Sequence, residues 1–518
     1  MPIYQSNTFW NYVCNESELV TTLIKDNLTK FRYDFDLKQT ESICYYQVLY
    51  EMVIDDIKYT YLRFPAGLTK YIQSKVGVPL ITRPLTKIYT ENDVLLAAEE
   101  VKSINPTFEI RPYQTEAVLT SLNQFQSLIE SAVGSGKTSM MCLLCKMLVD
   151  DKILILNDNN FILQQIYERL LSFGMTDISW NPSKEPDYTK QIVLLNTSSS
   201  DSRLNGQNAE YLSFLKEVNT IIYDECQHVQ ALTFFEPIFY TDFDKLHRIV
   251  GYSGSPFRNY KSPYQDLDDF RTIAILGEPA FVYKMKDTVS DGNIAQPYGY
   301  FINFKNEPGN VPDQFADSYF MQYRANITYN KNRNAAGLEM LKFLDKYGIK
   351  TLASYNNIKP GQKMMKSLAE QGIKALFICG DETIYEWKPT KRGSLKLEER
   401  KGTPKDVRKA LEEDGYNIIF GSTVLDEGVD IDIFQAAVLF SAGKTPIAGI
   451  QRIGRASRKK KDGMNVSLVI DFKDEGGYYV FQEHYNRRKQ MMYDSGVKIF
   501  TNVLDFINLV KEISENKK

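Results

Sequence analysis

The segment SLIESAVGSGKTS, Ser127 to Ser139, changes character midway. An apolar run suited to a buried strand gives way to Gly134, Ser135, Gly136, Lys137 and Thr138 at the start of a run suited to a helix. A strand that passes into a helix through glycines is a phosphate cradle. Without Cβ atoms the backbone turns its N–H groups inward, and the helix N-terminus adds unpaired donors and a favourable dipole. In this pattern Lys137 pairs with the outer phosphates of a nucleoside triphosphate and Thr138 ligates Mg²⁺ through its hydroxyl. Ser131 stands where the spacing G-x-x-x-x-G-K-[ST] has its first glycine, a substitution that a short side chain tolerates.

A phosphate-bound metal calls for a second carboxylate. The segment TIIYDECQH, residues 220–228, supplies one, because an apolar strand runs directly into Asp224 and Glu225. Asp224 is expected to hold Mg²⁺ through water, and Glu225 to orient and activate the attacking water.

Working outward, SLIES, KILILN, QIVLLNT, TIIYDE and RIVGYSGS each end in small or polar residues, as buried strands of a parallel sheet do where they meet their loops. A second series follows in KTLASYN, KALFICG, NIIFGST, QAAVLFSAG and VSLVIDF. The pattern predicts two doubly wound α/β domains in tandem. Aromatic and β-branched runs such as ICYYQVLYEMVIDDIKYTYLRF precede them and predict a small α+β unit. The expected division is an N-terminal accessory domain at 1–105, a first α/β domain at 106–290, a linker at 291–325 and a second α/β domain at 326–518. Residues 384–409 read as a basic insertion forming a long surface loop.

A chain of 518 residues exceeds one core, and 43% hydrophobic with 25% charged residues describes an ordinary folded protein. No stretch has eighteen apolar residues in succession, so no membrane span is expected and the expected location is cytoplasmic. Six scattered cysteines argue against a disulfide framework, and Cys142 and Cys145, within an apolar helical run, read as core thiols. The net charge of −3 means that any surface for a polyanion must be local. One basic candidate lies between Lys388 and Lys409, with nine Lys or Arg against three acids, and includes Lys391, Arg392 and Lys396. The other is QRIGRASRKKK, residues 451–461, continued by Arg487, Arg488 and Lys489. If helical, that segment sets Arg452, Arg455 and Arg458 along one ridge, where like charges repel unless an anion faces them. The second domain lacks a phosphate cradle, so the nucleotide of the first is the natural anion for this ridge. A guanidinium on the γ-phosphate is typically worth roughly a thousandfold or more in hydrolysis rate.

In order, IRPYQTEAV, SAVGSGKTS, DECQ, SGSP, FGSTVLDEGVDI and QRIGRASR resemble motifs Q, I, II, III, V and VI of the superfamily 2 helicases and translocases, over residues 106–475. The resemblance implies two RecA-like domains, ATP as the nucleotide and a nucleic acid as the partner. It implies that Arg111 and Gln114 read the adenine, that Ser253 and Ser255 couple hydrolysis to the strand, and that Thr423 touches a strand phosphate. Glu427, Gly428 and Asp430 would lie near the nucleotide sugar. Gln451, Arg452, Arg455 and Arg458 would complete the ATP site, with Arg455 and Arg458 as fingers. Asn157, Asn159, Thr197 and Ser354 would face the strand. Gln227 departs from the pattern, since this superfamily has His or Asp there, which leaves the coupling of hydrolysis to movement open.

Within the superfamily, RPYQ, SGSP and the small N-terminal unit resemble the phage UvsW-type, RecG-like helicases of branched DNA. The implied function is ATP-dependent unwinding or branch migration of DNA in recombination, replication or repair, by a monomer, in the host cytoplasm if the source is a phage. An RNA helicase would share every motif, because the core grips phosphates. A small-molecule kinase or GTPase would share the phosphate cradle and would not need motifs V and VI. The N-terminal unit reads either as a DNA-binding wedge or as a packing domain.

Overall fold

The computed structural model describes the chain apart from residues 1–2, 6–8, 16–17, 35–38, 55–56, 78–79, 82–86, 230, 261, 308, 310, 356, 380–382, 391–393, 403, 422–432, 442–464 and 516–518. Two compact units result. The first comprises Met1–Ser131 and Gly136–Tyr283, and the second Lys284–Lys518 with Ala132–Ser135.

The first unit is built on a seven-stranded parallel sheet. Its order is Ile178–Ser179, Ile192–Asn196, Ile153–Asn157, Thr220–Asp224, Arg248–Ser253, Gln126–Ser131 and Pro279–Tyr283. The central strands are apolar on both faces because helices cover both. Ile153, Leu154, Ile155 and Leu156 are all fully buried. Every strand expected from the first series is present, and Cys142 and Cys145 are buried in the helix Lys137–Met147.

The helix Glu91–Ile104 moves the expected boundary at residue 105. It opens with a capping box between Thr90 and Asp93 and packs Val94, Ala98 and Val101 into the same core as Met141, Leu144 and Ile155. The first α/β domain therefore begins before this helix. The expectation had followed the first motif, whereas the core is closed by an amphipathic helix that carries none.

Ahead of it lies a five-stranded sheet in the order Gln47–Ile54, Ile57–Pro65, Trp10–Asn15, Ile3–Gln5, Leu80–Ile81, with the helices Glu18–Leu28 and Thr69–Val76 and a hairpin of Thr29–Asp34 with Gln39–Cys44. This α+β unit shares a core with the α/β domain. Phe9, Ile24, Leu28, Phe64, Leu68 and Ile72 join one apolar cluster with Leu128, Ile273 and Leu276. Its docking point is the helix Leu267–Leu276. Tyr71 stacks on Tyr264 at 4.4 Å, Tyr45 meets Phe270 edge-on at 4.8 Å, and Lys30 Nζ lies 4.2 Å over the Phe270 ring. Gly67 sits against the backbone of that helix.

The second unit carries a nine-stranded sheet. Seven strands run parallel, in the order Ala375–Cys379, Ile418–Gly421, Thr351–Ser354, Ala436–Leu439, Val466–Phe472, Gln296–Ile302, Lys498–Ile499. Two parallel α/β sheets are thus the fold, as the two series of apolar runs predict. The stretch 291–325, expected as a linker with connecting strands, contributes a strand to the second sheet, since Gln296–Ile302 pairs along its whole length with Val466–Phe472. The partner lies some 170 residues on in sequence, and local pattern carries no sign of such pairing.

The basic insertion also differs from the expected loop. Thr383–Pro389 and Leu395–Lys401 form an antiparallel hairpin that extends the sheet beyond Ala375–Cys379. Leu376 pairs with Glu386, so Lys388 and its partner Lys396 lie past the start of that parallel strand, at the edge opposite its C-terminal end. Several of the cations are neutralised locally, Lys388 by Glu386 and Glu398, Arg400 by Asp406 and Arg408 by Glu412. Lys391 and Arg392 lie outside the described residues.

The docking geometry gives a direct test. A Cβ at position 67 would lie 2.0 Å from the Ile273 carbonyl oxygen and 2.8 Å from that of Ala274, backbone atoms that cannot turn aside. Gly67→Ala should lower unfolding stability by about 1–3 kcal/mol in a denaturant titration. An unchanged midpoint would mean that the N-terminal unit is not seated on this helix.

Candidate active site

The three strands that carry the first-unit motifs are neighbours in the sheet. Thr220–Asp224 pairs with Arg248–Ser253, which pairs with Gln126–Ser131, and the register sets Asp224 beside Tyr252 and Ser253 beside Glu130. Their C-terminal ends therefore deliver the phosphate loop, the Asp224–Glu225 pair and Ser253 to one edge.

In the phosphate loop Gly134 and Gly136 have φ of 83° and 87°, values that L side chains rarely adopt. Ser135 N donates to Ala132 O at 3.2 Å, and the helix Lys137–Met147 starts at the lysine itself. Lys137 Nζ donates to the Ser131 carbonyl at 3.2 Å, so Ser131 contributes through its backbone, which explains why glycine is dispensable there. Thr138 is the second helical residue.

Pro112 starts the helix Pro112–Leu122, and Gln114 Oε1 accepts from Arg111 N at 3.0 Å in its capping box. The Gln114 amide abuts the loop, since a Cβ at Gly136 would lie 2.5 Å from Gln114 Nε2. Arg111 Nη1 donates to the Tyr113 hydroxyl at 2.9 Å, and Tyr113 stacks on Tyr283 at 3.8 Å. The sequence reading missed this aromatic pair. Tyr113 lay between two assigned residues, but Tyr283 is far off in sequence.

Asp224 is 6% exposed. Its burial, reinforced by the adjacent Glu225 carboxylate, pushes its pKa up to about 7, while Lys137 pulls the other way. Asn157 Nδ2 donates to both Asp224 Oδ2 and its carbonyl at 3.3 Å, and Asn157 Oδ1 accepts from Asn159 N at 2.7 Å. Asn157, expected to face the strand, is fully buried here, and its amide is hydrogen-bonded to the Asp224 carboxylate.

Glu225 adopts φ 51°, ψ 52°, a left-handed conformation uncommon for such a residue. Gln227 Nε2 donates to Glu225 Oε2 at 3.0 Å, Ser253 Oγ donates to Gln227 Oε1 at 2.6 Å, and Ser255 N donates to Ser253 Oγ at 3.0 Å. The residue that departs from the family pattern is thus the link between motifs II and III. An amide can donate at one end and accept at the other, so the relay keeps every hydrogen bond without moving a proton.

Beside this edge two helices begin with asparagine caps. Asn159 Oδ1 accepts from Phe161 N at 2.8 Å, and Asn196 Oδ1 from Ser198 N at 2.9 Å. Between them opens a groove of about 470 Å³ lined by Asn160, Trp180, Asn196, Ser198, Ser199 and Arg203. Thr197, the first residue of its helix, and Ser354, at the end of its strand in the second unit, are both mostly covered. Arg488, expected on a basic surface, is buried with Asp471 and Asp474 at 2.8 Å each. Thr423, Glu427, Gly428, Asp430, Gln451, Arg452, Arg455 and Arg458 lie outside the described residues.

Residues 107–258 match the family described as the type III restriction enzyme res subunit, and residues 331–460 match the helicase conserved C-terminal domain. The chain belongs to the superfamily 2 helicases. This helicase is 21% identical over 391 residues to "Putative helicase 22" of the Sulfolobus islandicus filamentous virus, across 70% of its own length and 65% of the relative's. It is 30% identical over 90 residues to the ATP-dependent DNA helicase mph1 of Aspergillus oryzae, across 17% of this chain and 8% of that protein. The chain thus spans about two thirds of the viral relative and under a tenth of the fungal one.

Among solved structures, a fragment assigned to the HsdR subunit of a type I restriction enzyme from Vibrio vulnificus YJ016 matches with a TM-score of 0.53 at 17% identity, over 91% of this chain and 77% of that one. Saccharomyces cerevisiae Dbp5 bound to RNA and ADP BeF3 matches at 0.52 and 13% identity, over 82% and 97%. The helicase MrfA bound to DNA matches at 0.50 and 15% identity, over 81% and 52%. At these identities the likeness is one of fold.

The raised Asp224 carboxyl yields a pH signature. Its native pKa lies above the unfolded value, so in protein without nucleotide and Mg²⁺ it costs nothing below about pH 4 and destabilises progressively as pH rises toward 7. Asp224→Asn should therefore be more stable than wild type at pH 8, by on the order of 3 kcal/mol, with a smaller gain at pH 5. Denaturant titrations at the two pH values check this, and an equal gain at both contradicts it.

Proposed function

We propose that the protein is an ATP-driven helicase or translocase that acts on DNA, with branched or duplex DNA as substrate. The observation that carries this reading is the hydrogen-bonded relay from Glu225 through Gln227 to Ser253, in the same sheet as the phosphate loop. It connects a water-activating carboxylate with a segment that has no part in binding phosphate.

Lys137 binds the β- and γ-phosphates, with Gly134, Ser135 and Gly136 presenting backbone donors, and Arg111 and Gln114 bind the base. The donor set suits a divalent cation. Asp224 is a buried carboxylate whose charge its surroundings disfavour, and Thr138 stands one residue past the loop lysine. These two residues would hold Mg²⁺, which when bound neutralises charge on the phosphates. Glu225 accepts a proton from the attacking water, in a conformation fixed by its left-handed backbone and by Gln227. A shift of Ser253 or Ser255 reorients Gln227 and so alters the position of the Glu225 carboxylate. Strand engagement thereby changes the hydrolysis rate.

Arg455 and Arg458 act as fingers on the γ-phosphate, Gln451 and Arg452 support them, and Glu427, Gly428 and Asp430 contact the nucleotide sugar. On the nucleic-acid side, the two capped helix starts beside the 470 Å³ groove can receive phosphates, with Asn159 and Thr197 at them. Thr423 and Ser354 serve the strand from the second domain. The preference for DNA over RNA draws on the 90-residue match to a DNA helicase. The hairpin that carries Lys396 runs to the opposite edge of its sheet and is left out of this grip.

Steady-state ATP hydrolysis is the test, without polymer and then with single-stranded DNA, duplex DNA, a four-way junction and structured RNA. The junction should stimulate most, Arg455→Ala should lower the stimulated rate by roughly a thousandfold or more, and Ser253→Ala should lower the ratio of stimulated to basal rate about tenfold. Stimulation by RNA alone would move the substrate to RNA. Indifference to every polymer would remove the motor reading.

A further inference from the structure

The second unit exposes an aromatic surface for which the motifs give no use. In the segment between Gln296–Ile302 and the helix Lys331–Lys346, Phe320 is 64% exposed and Tyr329 46%, and at the start of the helix Tyr479–Asp494 the Tyr479 side chain is 71% exposed. Phe320 and Tyr479 lie on segments that a hydrogen bond joins, and large rings left in water on joined segments mark a surface that something covers.

This surface is held rigidly. Tyr478 N donates to Asn326 Oδ1 at 3.1 Å, which ties the Tyr479 helix to the segment carrying Phe320. Tyr319, itself 46% exposed, and Tyr323 pack against Phe481 at 5.7 and 6.0 Å. Residues Arg324–Thr328 form a π-helical turn, an irregularity that recurs at functional sites. Arg324, exposed, lies 5.5 Å from the Phe320 ring and 5.2 Å from the Tyr329 ring, and no carboxylate pairs with it among the described residues.

The position narrows the occupant. Ile302 and Phe472 are the last residues of paired strands, so both segments leave from the C-terminal edge of the sheet, the edge at which Ser354 also ends its strand. The residues after Ser354 reach the elements that flank these rings: the Tyr355 hydroxyl donates to Asn334 Oδ1 at 3.2 Å, and Asn357 Nδ2 to Thr328 Oγ1 at 3.4 Å.

We propose that Phe320, Tyr479 and Arg324 form a base-stacking platform for single-stranded nucleic acid. Unpaired bases stack on the two exposed rings, and Arg324 takes a phosphate of the same strand. The inference rests on the nucleic-acid motor reading and extends it. The strand beyond Ser354 is held by its bases as well as its backbone, at the unpaired stretches that a branched substrate offers and that unwinding creates.

The test compares binding of a twenty-nucleotide oligothymidylate with that of an abasic strand of equal length, by fluorescence anisotropy on the full chain. The wild type should bind the base-bearing strand more tightly. Phe320→Ala with Tyr479→Ala should weaken that binding about five- to a hundredfold and leave abasic binding alone, and Phe320→Trp should retain it. Equal wild-type affinity for the two strands, or equal losses on both in the double variant, would overturn the platform. Polymer stimulation of wild-type hydrolysis is read in parallel: stimulation by any polymer alongside a failed base dependence retires the platform alone, and indifference to every polymer retires the motor with it.

Discussion

The in-register pairing of three adjacent parallel strands underlies everything at the first-unit site. Thr220–Asp224, Arg248–Ser253 and Gln126–Ser131 rise together, so one edge receives a phosphate loop, a carboxylate pair and a serine from three distant parts of the chain. A slip of one residue would turn each side chain to the other face. Because both faces of the sheet are buried under helices, the register is held by packing on each side as well as by the backbone ladder. The chemistry is thus specified by the core.

Polar groups at this edge are buried, which normally counts against stability unless each finds a partner. Asn157 partners Asp224, and Gln227 partners Glu225 and Ser253. An amide suits such positions because it can satisfy a donor and an acceptor together and carries no charge to desolvate. Gln227 is therefore less a lapse from the family pattern than one solution to the same geometric demand. Two groups at this edge stay in conflict with their surroundings: burial disfavours the Asp224 charge, and Ser255 Oγ has no hydrogen-bond partner among the described residues.

The second unit solves an analogous problem with ions. Arg488 pairs with Asp471 and Asp474 and Arg333 with Asp474, all four buried; Arg333 also donates to the Phe440 carbonyl at 2.7 Å, while Arg333 Nη2 and Arg488 Nη1 are left without a hydrogen-bond partner among the described residues. Removing one member of such a set leaves an uncompensated charge in the interior and costs about 3–5 kcal/mol. The set clamps the end of Val466–Phe472 to the helices Lys331–Lys346 and Tyr479–Asp494. The exposed aromatic surface beside it is consequently held on a stiff base.

The sequence by itself determined the two α/β sheets, the phosphate loop and the order of the motifs, because each is encoded locally: buried parallel strands are continuous apolar runs, and a glycine turn into a helix needs only a few residues. Pairing was not legible. Nothing in QPYGYFI announces that it lies beside VSLVIDF, and nothing in a run of lysines and arginines announces that Lys388 meets Glu398 across a hairpin and Glu386 on its own strand, or that Arg488 points inward. The family resemblance sets Asn157 on the strand-binding face, whereas the packed sheet buries it with its amide on Asp224. Composition is a property of segments, whereas burial and hydrogen-bond partnership are properties of the packed chain, and only the tertiary structure could decide them.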